Sequence, residues 1–131
     1  FLETGALKTA MPKMTARVLL EAEYVLNLSD RESDPDVWSD LNWRFHSLLY
    51  APSDFPHLVS MIGEMHANVY RYLRLYIGDM NRQPDSQREH RDLLDACRNE
   101  KTERALAILE LHLMNARNRL AEYLREHETK N

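Results

Sequence analysis

At 131 residues the chain has the length of one ordinary domain, long enough to bury a single core without staples. An apolar share of 44% and a charged share of 29% suit a soluble globular fold, and no apolar run approaches the roughly 20 residues of a membrane span. The formal charge of −4 is spread over interleaved acids and bases, without the clustered cations from which nucleic-acid binding draws its affinity.

The single cysteine, Cys97, has no internal disulfide partner and reads as small core filler in a protein of the reducing cytoplasm. The opening Phe1-Leu2-Glu3-Thr4-Gly5-Ala6 lacks the basic-then-apolar pattern of a secretory leader and reads as a chain cut within a helix.

Val, Ile and Thr are sparse, only three glycines occur, and no stretch alternates at the period of a half-buried strand, so an all-α fold is expected. Proline and short polar side chains divide it into about six helices. The first runs from Leu2 to Met11 and stops at Pro12; the second starts at Thr15 and turns Val18, Leu19, Ala22, Val25 and Leu26 inward. The polar stretch Ser29 to Ser33 follows. Asp34-Pro35 opens a third helix that reaches Tyr50 before Ala51-Pro52. The fourth, Pro56 to about Met80, is apolar on most of its circumference, as in a helix that is central or shared between two surfaces. Asn81 to Asp85 is expected to turn, Asp85 or Ser86 to cap a fifth helix ending near Asn99, and Thr102 to open a sixth ending near Glu128.

Three of the six histidines fall on inward stripes. His46 lies between Phe45 and Leu49, one turn beyond Asn42; His90 precedes Leu93, Leu94 and Cys97; His112 sits among Ala105, Ile108, Leu109 and Ala116. A lone inward histidine is more often hydrogen-bonded to a carbonyl or carboxylate than bound to metal. Three on separate helices are costly to bury unless each finds a partner, and one divalent cation accepts all three lone pairs, as bundle cores permit.

These segments, in order, resemble the FadR C-terminal (FCD) domain of GntR-type bacterial regulators. The resemblance rests on Leu2-Glu3 with Ala6-Leu7 and Ala10, on Pro12-Lys13-Met14-Thr15, on Asn42-Trp43-Arg44-Phe45-His46, on Glu89 through Ala96, and on Ala105 through His112-Leu113. It covers nearly the whole chain, residues 1–131, and implies a single antiparallel bundle with a central ligand or metal cavity. It further implies that Asn42, His46, His90 and His112 hold one divalent ion, and that the domain is a homodimer responding to a small organic acid. Operator DNA would be read only by an amino-terminal winged helix-turn-helix, which these residues do not include. Imidazole-rich donor sets suit Zn, Ni, Cu or Fe, and Zn or Ni is expected here.

Many family members carry Asp where this chain has Asn42. Four neutral donors would leave the ion's full charge in a low-dielectric site, favouring an anionic effector while weakening metal affinity.

His66, Tyr70, Arg71 and Arg74 on the fourth helix are candidate effector contacts, since arginine clamps carboxylates and tyrosine offers a hydroxyl. His57 and His127 read as solvated surface, and Arg117 and Arg119 as a charged helix end without a signal. No inward carboxylate suggests itself as a general base, so no catalytic residue is assigned. Two other readings stay open: a metal-dependent hydrolase or lyase, and a metal-free helical interaction module.

Overall fold

Local capping chemistry sets where the helices of the computed structural model begin. It describes residues 1–77 and 83–128, apart from the side chains of 72–77, 83, 127 and 128. Among the described residues six α-helices follow one another: α1 (Leu2–Ala10), α2 (Ala16–Asp30), α3 (Pro35–Tyr50), α4 (Pro56–Ile77), α5 (Gln83–Arg98) and α6 (Thr102–Glu128). Among the described residues there is no strand, and no helix is long and apolar enough to cross a membrane.

Thr15 caps α2, its hydroxyl accepting from the Val18 amide at 3.2 Å, and Asp34 caps α3 through the amides of Asp36 and Val37. Pro12 and Pro52 each sit in a short 3-10 turn, Met11–Lys13 and Ala51–Ser53, where a missing amide costs little. The first helix therefore ends one residue sooner than expected.

The larger shift is at α5. Its expected cap at Asp85 or Ser86 is replaced by a start at Gln83, because Pro84 is compatible with a first helical turn, where amides have no intrahelical acceptor. The expected end of α4 at Met80 and the first two residues of the following turn, Asn81 and Arg82, lie outside the described residues, as do the side chains of Arg74 and His127, while Gln83 to Asp85 are helical rather than part of a turn.

The strongest packing joins α2 to α3 and α5 and joins α5 to α6, while α1 lies against α3, α4 and α6. Leu7, Val25, Leu26, Phe45, Leu49, Tyr50, Ile62, Leu93 and Leu109 form the fully buried core. Cys97 belongs to it; burial pushes its thiol up to about 12, which fits a packing role.

On α4 one side is buried through Ile62, whereas Met61, Met65 and Val69 are 55%, 52% and 48% exposed at one-turn spacing. The helix thus has a second apolar face turned away from the core.

Gly63 fixes how closely α4 approaches α3: a Cβ there would lie 2.8 Å from Cζ2 of Trp43. Gly63→Ala gains about 1 kcal/mol of helix propensity but meets an overpacking penalty of roughly 1–3 kcal/mol. The displaced atom belongs to a bulky indole, so the penalty wins. We expect a net loss on the order of 1 kcal/mol by urea denaturation, with a shift in tryptophan fluorescence.

Candidate metal centre

Each of the three inward histidines comes from a different helix: His46 from α3, His90 from α5 and His112 from α6. Each lies on a stripe whose neighbours fill the core, so the packing of Phe45, Leu49, Leu93 and Leu109 delivers all three rings to one place. His46 and His90 are 0% and 1% exposed, and His112 is nearly as buried. One ring nitrogen from each lies within 4.8 Å of the other two.

The protons follow from the outward partners. Gln87 donates its amide nitrogen to Asp30 Oδ1 at 2.8 Å and to the Leu26 carbonyl at 3.4 Å. Its carbonyl oxygen therefore faces His90 Nδ1 at 2.9 Å, and that nitrogen must donate. His112 Nδ1 stands 3.0 Å from the Glu89 carboxylate, which only accepts. Glu89 is held in turn by Asn115 Nδ2 at 2.9 Å and Arg119 at 3.4 Å. Both rings thus turn a free Nε2 lone pair inward.

His46 completes the set. The Tyr50 hydroxyl donates its one proton to Glu3 Oε1 at 2.8 Å, leaving its oxygen to accept from His46 Nδ1 at 3.4 Å. With that proton outward, His46 Nε2 and His90 Nε2 face each other as two lone pairs 3.2 Å apart. Moving the proton inward would mend that contact and leave Nδ1 without a donor opposite. One cation between the nitrogens satisfies every group at once.

The 3.2 Å between His46 and His90 suits such an ion, since two donors at about 2.0–2.1 Å from one metal stand about 3.0–3.4 Å apart. Asn42 supplies an independent test of fit. Its Oδ1 is buried with no hydrogen-bond partner, one turn before His46 on the same face. Trp38 Nε1, one turn earlier still, is the other buried polar atom without a partner among the described residues.

Of the candidate effector contacts whose side chains are described, His66 is the one beside the cluster: its ring centroid is 5.7 Å from that of His46, and its Nε2 donates to Glu3 Oε1 at 2.9 Å. The Tyr70 hydroxyl donates to Asp36 at 3.0 Å, and Arg71 is exposed. Trp43 packs on the His66 ring at 4.9 Å and lines an open groove of about 630 Å³ between α3 and α4.

Two expectations need correction. Inward carboxylates do exist: Glu3 and Glu89 both reach the histidine cluster. Arg119, read as part of a charged helix end without a signal, lies only 21% exposed against Glu89 at 3.4 Å. Periodicity along α1 held a clue, since Glu3 shares a stripe with Ala6, Leu7 and Ala10. Glu89 and Arg119 gave none, because their pairing crosses from α5 to α6.

Burial first, and the charge of neighbouring imidazoles second, hold His46 and His90 well below the usual histidine range. Unfolding frees them to bind protons that the native state refuses, so metal-free protein loses stability as pH falls below about 6.5. Urea midpoints in chelator at pH 7.5 and 5.5 should show the drop, and His46→Gln should shrink it.

A family model for the FCD domain matches residues 1–115. A transcriptional regulator described as a GntR family member, from Pseudomonas syringae pv. tomato str. DC3000, has a similar structure, with TM-score 0.84 and 24% identity over 99% of this chain and 55% of that one. E. coli McbR/YncC is similar with TM-score 0.77 and 20% identity over 95% of this chain and 63% of its own. The chain thus spans less than two thirds of either, and at these identities the likeness is one of fold. No curated protein matches. The chain, matched over most of its length, belongs to the FCD domain family.

Proposed function

We propose that this domain senses a small organic acid at a divalent transition-metal centre held by Asn42, His46, His90 and His112. The observation that carries the proposal is the convergence of buried imidazoles whose Nδ1 atoms are engaged outward, with Asn42 Oδ1 unpartnered on the same side. A metal-free interaction module would leave that oxygen and the facing nitrogens without a reason. When bound, the metal supplies positive charge that anchors an anion. Zn or Ni fits the imidazole-rich set.

His66 is the effector contact nearest the centre in this proposal, with Tyr70, Arg71 and Arg74 of the same helix as further candidates. The family and the regulator among the similar structures support a regulatory domain over an enzyme, working in the cytoplasm. The DNA-binding half would lie outside residues 1–131, and a second copy would cover Met61, Met65 and Val69. An acid acts on such a dimer only through unequal affinity for its two arrangements.

Protein purified without an affinity tag should contain about one equivalent of metal per chain, and His90→Ala should lose it. Glu89→Gln, which weakens the acceptor for His112 Nδ1, should lower metal affinity by about 10–100-fold. Calorimetric titration of small carboxylic acids should show affinity that falls when the metal is stripped. Equal affinity with and without metal would contradict the proposal.

A further inference from the structure

Glu3 is the one acidic residue on α1, and it points into the protein. Its side chain is 16% exposed, and its Oε1 accepts two hydrogen bonds from two other helices, from Tyr50 on α3 at 2.8 Å and from His66 on α4 at 2.9 Å. These bonds outweigh the burial that would otherwise raise its pKa, and the carboxyl is held below its usual range. A hydroxyl and an imidazole N–H converging on one carboxylate oxygen are what a binding site for an acid consists of. Here the acid belongs to the protein itself.

The rest of α1 is anchored by one large buried side chain, Leu7, with the small Ala6 and Ala10 beside it. Two charge-assisted hydrogen bonds are therefore a large share of what holds the helix to α3 and α4.

We propose that Tyr50 and His66 form a carboxylate subsite that Glu3 occupies in cis, and that a free acid taking those two donors displaces Glu3 and loosens α1. This deepens the sensing proposal by giving the acid a place beside the metal centre and a route to the first helix. A tethered carboxylate acts at an effective concentration of millimolar or more. A simple monocarboxylate making only those two bonds competes poorly with it. The effector class selected is an acid bearing a second oxygen group, whose extra contacts in the histidine cluster overcome the tether.

The test uses acetate as probe and chelator-treated protein, so its outcome does not depend on the metal. In wild-type chain, acetate at tens of millimolar should leave the thermal midpoint within the shift caused by the same concentration of chloride. Glu3→Ala should lower the midpoint, and acetate should then raise it saturably, with apparent affinity about tenfold or more above wild type. Glu3→Ala combined with His66→Ala should abolish that response. Hydrogen exchange at the α1 amides should be faster in Glu3→Ala and stay fast with acetate, because free acetate fills the subsite without retying the helix.

Glu3→Gln, which keeps the side chain's size and removes its charge, gives the same comparison if the alanine variant does not fold. The proposal is overturned if neither variant binds acetate more tightly than wild type. It is equally overturned if tighter binding survives loss of His66, or if acetate restores protection to α1.

Discussion

Three imidazoles share one core, and the rest of the structure is arranged around keeping them there. A neutral histidine brings one donor and one acceptor out of water, and three rings at this distance cannot satisfy one another. The chain meets the demand at the outer nitrogens alone. Gln87 takes the proton of His90, Glu89 that of His112, and the Tyr50 oxygen that of His46. What is left over is a set of inner lone pairs, together with a buried amide oxygen on Asn42 that no hydrogen-bond donor reaches.

Each outer partner belongs to a network that runs from the core to a charged edge. Gln87 reaches Asp30, which pairs with Arg91; Glu89 is held by Asn115 and Arg119; and Tyr50 reaches Glu3, which binds His66. These networks join α2 to α5, α5 to α6, and α1 to α3 and α4. The contacts that orient the rings are thus the ones that connect the helices. Closing the inner nitrogens on a metal would add its binding free energy to the stability of the whole bundle.

Much of this was legible in the sequence, and the part that was not has a common cause. The positions of Asn42, His46, His90 and His112 on inward stripes follow from helical periodicity, and the helix starts at Thr15, Asp34 and Thr102 follow from capping side chains. Periodicity describes one helix at a time. It carries no information about which side chain of α6 meets which side chain of α5, so the pairing of Glu89 with Arg119 could not be read from it. Glu3 differs, since its stripe was visible; a single acid beside small residues on a short helix is easily taken for surface. The early start of α5 was missed because Asp85 and Ser86 read as caps, whereas Gln83, Pro84 and Asp85 already form the first helical turn.

Glu3 also changes the charge balance inferred from Asn42 alone. Four neutral donors would leave a doubly charged ion uncompensated, yet a carboxylate stands beside the cluster on Tyr50 and His66. In the proposed centre Nε2 atoms, and not Nδ1 atoms, converge on one ion. That geometry is tested most directly by crystals of untagged protein grown with zinc or nickel, measured across the metal's absorption edge. One anomalous peak is expected about 2.0–2.3 Å from Nε2 of His46, His90 and His112, with Asn42 Oδ1 turned toward it. Coordination through any Nδ1, or no peak between the three rings, would contradict it.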